Sequence, residues 1–239
     1  MEEKTLNDVI FYSSGRIEGK YYQCENPRAP AALILSPHPL YGGSMNNKVI
    51  YRIFDACVRG GFSALRFNFR GVGQSHGSFD NGVGELLDAA TALDWLQNSA
   101  PEASAYWIMG FSFGSWIGMQ LLMRRPEVSG FIIIAPPTNS YDFSFVSPCP
   151  TSGLIIQGTK DEIVPEQSVY KLWENLSNQK EVDYQLIEAN HMFDGKLNEL
   201  SDILVEYMKK SLDDNRFGNL IEGKKRDRRR RYENNNLST

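Results

Sequence analysis

The sequence predicts an α/β fold: a doubly wound, mostly parallel sheet that is entered through an antiparallel hairpin. Short apolar runs without polar alternation recur along the chain, as expected of strands covered on both faces. Stretches with an apolar period of about 3.6 residues separate these runs and indicate amphipathic helices. Regular alternation of strand and helix is typical of parallel sheets that carry helices on both faces.

The elements can be justified in chain order. The hairpin is predicted over Asp8–Tyr12 and Arg16–Gln23, because two serines and a glycine stand between these stretches and such residues favour turns. Buried strands are predicted at Ala31–Ser36, Ala64–Asn68, Tyr106–Phe111, Phe131–Ala135 and Gly153–Gly158. Helices are predicted at about Asn46–Arg59, Gly84–Gln97, Phe113–Arg125 and Glu166–Leu176, and a last strand and helix at Val182–Glu188 and Asn198–Leu212.

Length and charge divide the chain into a body and a tail. The 239 residues, 41% of them hydrophobic, suffice for one large core. Of 25 Lys and Arg residues eight lie from Arg216 onward, as do three of 29 acidic residues, which leaves 17 basic against 26 acidic residues before it. We therefore expect a single domain over 1–215 and a basic, disordered tail over 216–239. The acidic body is not expected to bind nucleic acid.

Cysteine usage and the N-terminus predict a cytoplasmic protein. Three widely separated cysteines suit neither a disulfide framework nor a zinc site. The N-terminus is acidic and lacks an apolar stretch behind a basic region, so no secretory signal is predicted. The long uncharged stretch Ala103–Met123 contains several glycines and serines, and a buried strand followed by a helix explains it without a membrane.

A candidate nucleophile lies where one strand gives way to a helix. Ser112 stands in the pattern Gly110-Phe-Ser-Phe-Gly114, between the predicted strand Tyr106–Phe111 and the helix after it. A sharp strand-to-helix turn requires glycines two residues to either side, because side chains there would collide with neighbouring backbone. This turn would leave the Ser112 hydroxyl exposed to a substrate.

A serine nucleophile needs a base, and the base needs an orienting acid. His191 follows the last predicted strand, and Asp161 follows the strand before it. The carboxyl ends of parallel strands meet at one edge of the sheet, so these side chains are expected to converge on Ser112. Glu162 is an alternative acid, and Asp161 is preferred because its side chain is shorter.

The oxyanion of a tetrahedral intermediate needs two backbone N–H donors. Phe113 is expected to supply one from the start of its helix, where the dipole favours negative charge. The second is expected from the loop after Ala31–Ser36, where Leu40 is the first candidate and Tyr41 the alternative, since Pro39 lacks an N–H. His38 is expected to shape this loop.

Together these segments resemble the α/β-hydrolase superfamily, in particular compact, lidless bacterial serine hydrolases of the dienelactone-hydrolase and small-esterase type. The resemblance rests on the Ser112 turn, His-Pro-Leu-Tyr-Gly-Gly, Asn-Phe-Arg-Gly-Val-Gly-Gln-Ser, Gly-Thr-Lys-Asp and Ala-Asn-His-Met-Phe. It implies the α/β-hydrolase fold over about residues 5–212, with the triad order Ser112, Asp161, His191. Dienelactone hydrolases themselves use cysteine as the nucleophile, so that particular reaction is not implied.

The resulting hypothesis is a serine hydrolase that cleaves a small carboxylic ester through an acyl-enzyme. The connection Pro136–Ser152 is too short for a lid domain, so the active face should be open. Candidate walls of a substrate pocket are Tyr41, Phe143, Phe145 and Met192. Arg70 is expected to be a structural hydrogen-bond donor.

Alternative functions keep the same fold. A thioesterase or a serine peptidase would use the same triad, whereas a non-catalytic binding protein would act through the tail, with weak polyanion contacts at 224–231. No metal or other cofactor is expected, since the acidic, His and Cys residues lack metal-ligand spacing. NAD binding is not expected either, because His76 stands where the Gly71-Val-Gly73 fingerprint requires a third glycine.

Overall fold

The structure, a computed structural model, describes residues 6–213. In this range the strands are β1 (Leu6–Tyr12), β2 (Arg16–Tyr22), β3 (Ala31–Leu35), β4 (Ser63–Phe67), β5 (Tyr106–Phe111), β6 (Val128–Ile134), β7 (Gly153–Gly158) and β8 (Val182–Ile187). The α-helices are α1 (Lys48–Arg59), α2 (Val83–Ser99), α3 (Phe113–Leu122), α4 (Glu166–Ser177) and α5 (Leu197–Asp213).

All described strands form one sheet in the order β1-β2-β4-β3-β5-β6-β7-β8. Strand β2 runs antiparallel to β1 and β4, and the other neighbours are parallel. The doubly wound fold with an N-terminal hairpin is therefore confirmed. Because β5, β7 and β8 are parallel, the loops after them leave from the same edge of the sheet.

Two hydrophobic clusters cover the two faces of the sheet. One contains residues of α2, α3 and α4, such as Leu93, Ile117 and Val169. The other contains residues of α1 and α5, such as Ile53 and Leu204. Strands β3 and β6 are buried along their whole length, which explains why their sequences are apolar at consecutive positions.

Some boundaries differ from the sequence-based prediction. Helix α3 ends at Leu122 and not at Arg125, because Arg125 precedes Pro126 and the residue before a proline disfavours helix. Strand β6 begins at Val128, upstream of the predicted Phe131. Gly130 lies within this strand, and a Cβ there would lie 2.8 Å from a carbon of the Trp107 ring, so the glycine admits that ring.

The uncharged stretch divides into β5 and α3, as predicted. Among residues 6–213, no helix is both long and apolar enough to cross a membrane. The predicted basic tail 216–239, with its polyanion contact at 224–231, lies outside the described residues.

Candidate active site

Ser112 occupies a strained turn between β5 and α3. Its backbone has φ +52° and ψ −121°, a combination that costs a non-glycine residue of order 1–3 kcal/mol. A Cβ on Gly110 would lie 2.5 Å from the Gly114 carbonyl oxygen, and one on Gly114 would lie 2.2 Å from the Leu35 carbonyl oxygen. Both glycines are therefore required for this turn, and Gly114 also seats the start of α3 directly against the end of β3.

The buried Ser115 side chain holds the turn from below. Its hydroxyl lies 2.9 Å from the Gly110 carbonyl and 3.1 Å from the Ile134 carbonyl. The Ser112 N–H donates to the same Ile134 carbonyl at 2.9 Å. The ends of β5 and β6 thus fix the backbone of Ser112 from two sides.

His191 lies between Ser112 and Asp161. Its Nε2 is 3.2 Å from Ser112 Oγ, and its Nδ1 is 2.8 Å from Asp161 Oδ2. The imidazole is buried and packs on the Phe111 ring, with 5.1 Å between the ring centroids. The three side chains that were predicted to form a triad therefore lie in a continuous hydrogen-bonded chain.

Both carboxylate oxygens of Asp161 take part in hydrogen bonds. Oδ1 accepts the backbone N–H groups of Ile163 at 2.9 Å and Val164 at 2.8 Å, while Oδ2 faces His191. Burial opposes ionisation, but the hydrogen bonds from His191 and from these backbone groups outweigh it and hold the pKa of Asp161 below its ordinary value. Asp161 is therefore a carboxylate at neutral pH. The alternative acid, Glu162, is exposed to solvent.

Sequence reasoning missed Gln157, a fully buried amide at the end of β7. Its Nε2 lies 2.9 Å from the Val164 carbonyl, 3.2 Å from the Gly158 carbonyl and 3.3 Å from Asp161 Oδ2. A flipped amide would point its oxygen at three acceptors, so the orientation is fixed by the surroundings. The available signal was a single polar residue inside the apolar run Gly153–Gly158.

A second network, also missed, braces the loop that carries His191. The Asn190 side chain donates from Nδ2 to Asp194 Oδ2 and accepts the Asp194 backbone N–H at Oδ1, each at 3.0 Å. Asp194 also pairs with Lys48 at the start of α1. Phe193, with φ +54°, is fully buried in the hydrophobic cluster that contains residues of α1 and α5. The loop is therefore anchored directly after His191, by an exposed ion pair and by a buried ring.

The predicted oxyanion donors differ in their present hydrogen bonds. Phe113 is the first residue of α3, and its N–H has no acceptor among the described residues. Leu40 lies in a short 3₁₀ turn, Pro39–Tyr41, and its N–H donates to His38 Nδ1 at 3.2 Å. The Tyr41 N–H donates to the His38 carbonyl at 3.1 Å. The Phe113 N–H is thus free to donate to an oxyanion, whereas the N–H of Leu40 or Tyr41 would first have to break its present hydrogen bond.

His38 shapes this loop in the expected way. Its ring lies 4.6, 4.7 and 4.8 Å from the rings of Tyr41, Phe79 and Phe113. Burial lowers the pKa of His38, against a smaller opposing influence of Glu85. The neutral form is therefore favoured, and only that form can accept the Leu40 N–H at Nδ1.

The four predicted pocket residues differ in burial. Phe143 is buried in the core cluster of α2 and α3, and Phe145 packs against the same cluster. Met192, next to His191 in the chain, packs against the cluster on the opposite face of the sheet. Tyr41, in the loop that carries His38, is the most exposed of the four, and the role of these residues in a substrate pocket stays a prediction.

Arg70 is a structural residue. Its guanidinium forms hydrogen bonds of 3.0 and 2.7 Å with the two oxygens of Asp88, a buried carboxylate on α2. The pair ties the loop after β4 to that helix. Among residues 6–213, no cluster of three or more His, Cys, Asp or Glu side chains is arranged to hold a metal ion.

Comparison with known proteins places this arrangement in a family context. Residues 34–148 match a family model described as the alpha/beta hydrolase fold. An uncharacterised protein of Rickettsia prowazekii, RP471, is 52% identical over 201 residues, which cover 81% of this chain and 84% of that protein.

Solved structures are similar over most of their length. A protein of unknown function from Agrobacterium tumefaciens is 48% identical, with 88% of this chain and 98% of that chain covered at a TM-score of 0.84. A Coxiella burnetii alpha-beta serine hydrolase homologue is 33% identical, with 84% and 96% covered at a TM-score of 0.75. A Xanthomonas campestris protein, described as an a/b serine hydrolase without lid, is 32% identical, with 85% and 94% covered at a TM-score of 0.75.

Proposed function

Because this chain belongs to the α/β-hydrolase family, we propose that it is a serine hydrolase that cleaves small carboxylic esters through an acyl-enzyme. One observation carries the proposal. Ser112 Oγ, His191 and Asp161 Oδ2 form a hydrogen-bonded chain of 3.2 and 2.8 Å, which is the geometry that activates a serine nucleophile.

The first half of the reaction acylates Ser112. Ionised Asp161 holds the proton on His191 Nδ1 and leaves Nε2 free to accept the Ser112 proton as the hydroxyl attacks the ester carbonyl. The negative charge that develops on the carbonyl oxygen meets the N–H of Phe113, at the positive end of α3. His191 then returns its proton to the departing alcohol.

The second half releases the acid. Water enters from the open face, gives a proton to His191 Nε2 and attacks the acyl carbonyl. As this second intermediate collapses, the bond from the acyl carbon to Ser112 Oγ breaks, and His191 Nε2 returns the proton to Oγ. The second oxyanion donor is assigned to Leu40. Its N–H breaks the hydrogen bond to the His38 ring and donates to the oxyanion instead. This exchange costs little if the new bond is charge-assisted, since such bonds are stronger than neutral ones.

Two features support a small ester. The connection between β6 and β7, residues 135–152, contains no helix or strand, so no lid covers Ser112 from this segment. The chain is 32% identical to a solved serine hydrolase described as lidless. A thioester or an N-terminal peptide would use the same side chains and remains the alternative substrate class.

The proposal assigns catalysis to the domain 1–215. The triad residues Ser112, Asp161 and His191 lie before that boundary, as does Ser211, the last buried residue among those that the structure describes. The tail 216–239 is assigned no part in the chemistry, and its net positive charge is the basis of the proposed weak contact with a polyanion.

The test uses the full chain and a fluorophosphonate probe, which reacts only with an activated serine. We expect one equivalent of label on the peptide that contains Ser112, and release of acid from ethyl acetate and ethyl butanoate in a pH-stat. Ser14→Ala is a matched control, because Ser14 is an exposed serine in the turn between β1 and β2, at the far edge of the sheet. Absence of labelling together with absence of ester, thioester and peptide turnover would overturn the proposal.

A further inference from the structure

Aromatic side chains from three segments converge on Phe113, the residue after the proposed nucleophile. The His38 ring lies 4.8 Å from it, and Tyr41 stacks outside His38 at 4.6 Å. Trp116 and Tyr141 each lie 5.7 Å from Phe113 and 4.4 Å from one another. Rings therefore extend from the buried base of α3 out to the surface on both sides of Phe113.

The outer members of this cluster are exposed. Tyr41 has 86% of its surface open to solvent, and its neighbour Leu40 has 66%. Trp116 and Tyr141 are half-buried. Contacts within the described part of the chain leave this apolar surface exposed to water. Exposed aromatic groups beside a reactive centre are typical of ligand sites.

The electrostatic surroundings of Tyr141 keep its phenol in the neutral form. Burial raises the pKa of Tyr141, and the neighbouring Tyr41 phenol and the Glu85 carboxylate raise it further. Glu85 is itself buried, and its two oxygens accept the backbone N–H groups of Asp80 and Gly82. The aromatic cluster around Phe113 therefore presents a neutral Tyr141 ring, and the Glu85 carboxylate near it already accepts two hydrogen bonds.

We infer that Tyr41, Trp116 and Tyr141 form an aromatic slot, continuous with Ser112 through Phe113, that binds an aryl group of the ester substrate. A flat ring inserted there would meet the faces and edges of the three side chains, an arrangement that favours aromatic over saturated groups of equal size. The aryl group lies either in the acyl portion or in the alcohol portion of the ester. This inference rests on the proposed serine hydrolase activity.

The experiment compares esters that differ only in aromaticity. Ethyl 3-phenylpropanoate is compared with ethyl 3-cyclohexylpropanoate for the acyl side, and 2-phenylethyl acetate with 2-cyclohexylethyl acetate for the alcohol side, by acid release. We expect kcat/KM to favour the phenyl ester by about three- to ten-fold in one of the pairs, the range that an aromatic pair contributes. The pair that shows the preference identifies the side that the slot takes.

Variants assign the preference to the slot. Tyr41→Leu keeps an apolar side chain without a ring and should bring the phenyl-to-cyclohexyl ratio close to one, whereas Tyr41→Phe should retain the ratio. Tyr12→Ala is the matched control, since Tyr12 is 73% exposed on β1, at the far edge of the sheet, and should retain the ratio and the turnover.

The outcomes separate the two proposals. If ethyl acetate turnover and fluorophosphonate labelling fail, the proposed function fails. If both succeed and the ratio is close to one for both pairs in the unsubstituted protein, the aromatic slot is overturned. A ratio that survives Tyr41→Leu also overturns it, as does a preference for the cyclohexyl esters, which would indicate a plain apolar surface.

Discussion

Gln157 donates its side-chain amide to Asp161 Oδ2, the same oxygen that faces His191, at 3.3 Å. The amide also bonds the Val164 carbonyl, and Val164 donates its N–H to the other oxygen of Asp161. The buried Gln157 side chain thus positions both the Asp161 carboxylate and Val164, whose backbone N–H donates to that carboxylate. This makes Gln157 a positioning residue for the proposed acid.

The first prediction concerns this residue. Gln157→Leu removes the side-chain donor of the Val164 carbonyl, while the Gly158 carbonyl keeps the Asp161 N–H; the loss should lower the free energy of unfolding by about 1–3 kcal/mol. It also removes a donor to ionised Asp161, which raises the pKa of that carboxyl and moves the acid limb of the kcat/KM profile to higher pH. Gln167→Leu, at an exposed position of α4, is the control. An unchanged pH profile with only lower stability would limit Gln157 to a structural role.

The second prediction separates strain from chemistry at Ser112. Both Ser112→Ala and Ser112→Gly should lose turnover by a factor on the order of a millionfold, because members of a triad act as a unit. Glycine adopts φ +52° without penalty, so the free energy of unfolding should be about 1 kcal/mol higher for Ser112→Gly than for Ser112→Ala. Ser112→Gly should therefore unfold at a higher urea concentration. Equal midpoints in urea for the two variants would contradict the stored strain.

The third prediction tests the acid. Asp161→Asn should lower kcat by about four orders of magnitude, since the amide favours the wrong tautomer of His191. Glu162→Gln, one residue on and exposed, should stay within a few-fold of the unsubstituted protein. The same large loss from Glu162→Gln alone would reassign the acid to Glu162.

Asp161 should also contribute to acid sensitivity, which makes a fourth prediction. Its pKa is lower in the folded protein than the value of about 3.9 in an unfolded chain. The stabilisation is then complete above the unfolded value and is lost as the pH falls through the folded value. In urea titrations the loss of stability below about pH 4 should be smaller for Asp161→Asn. Parallel curves for the two proteins would show that Asp161 is not the group responsible.

The fifth prediction concerns acyl length. Without a lid, only the first few carbons of an unbranched acyl chain can be buried, so kcat/KM should rise over short esters and then level off or fall. In a deep tunnel each methylene would add about 0.8 kcal/mol. A steady rise from acetyl to palmitoyl esters, measured below the solubility limit of each ester, would contradict the open face.

Much of the fold was predictable because buried parallel strands such as β3 and β7 are apolar at consecutive positions, a pattern that few other structures share. The triad order was predictable too, since Ser112, Asp161 and His191 each follow a recognisable strand. Gln157 was not, because its role depends on Val164 and on the loop conformation. Nor was the bond between the Leu40 N–H and His38, which arises only once Pro39 begins a 3₁₀ turn. The displaced start of β6 depended on Trp107, a partner on another strand.

The contact between Gly114 and the Leu35 carbonyl has a consequence for how this protein can change. Because backbone meets backbone there, the spacing between the Ser112 turn and the loop that carries Leu40 does not depend on the size of any side chain. Core substitutions elsewhere can then alter stability while this spacing stays constant. The chain should therefore accept many substitutions without losing the alignment of the Ser112 turn with the loop that carries Leu40. A methyl group added at Gly114 would force the two segments apart in a single step.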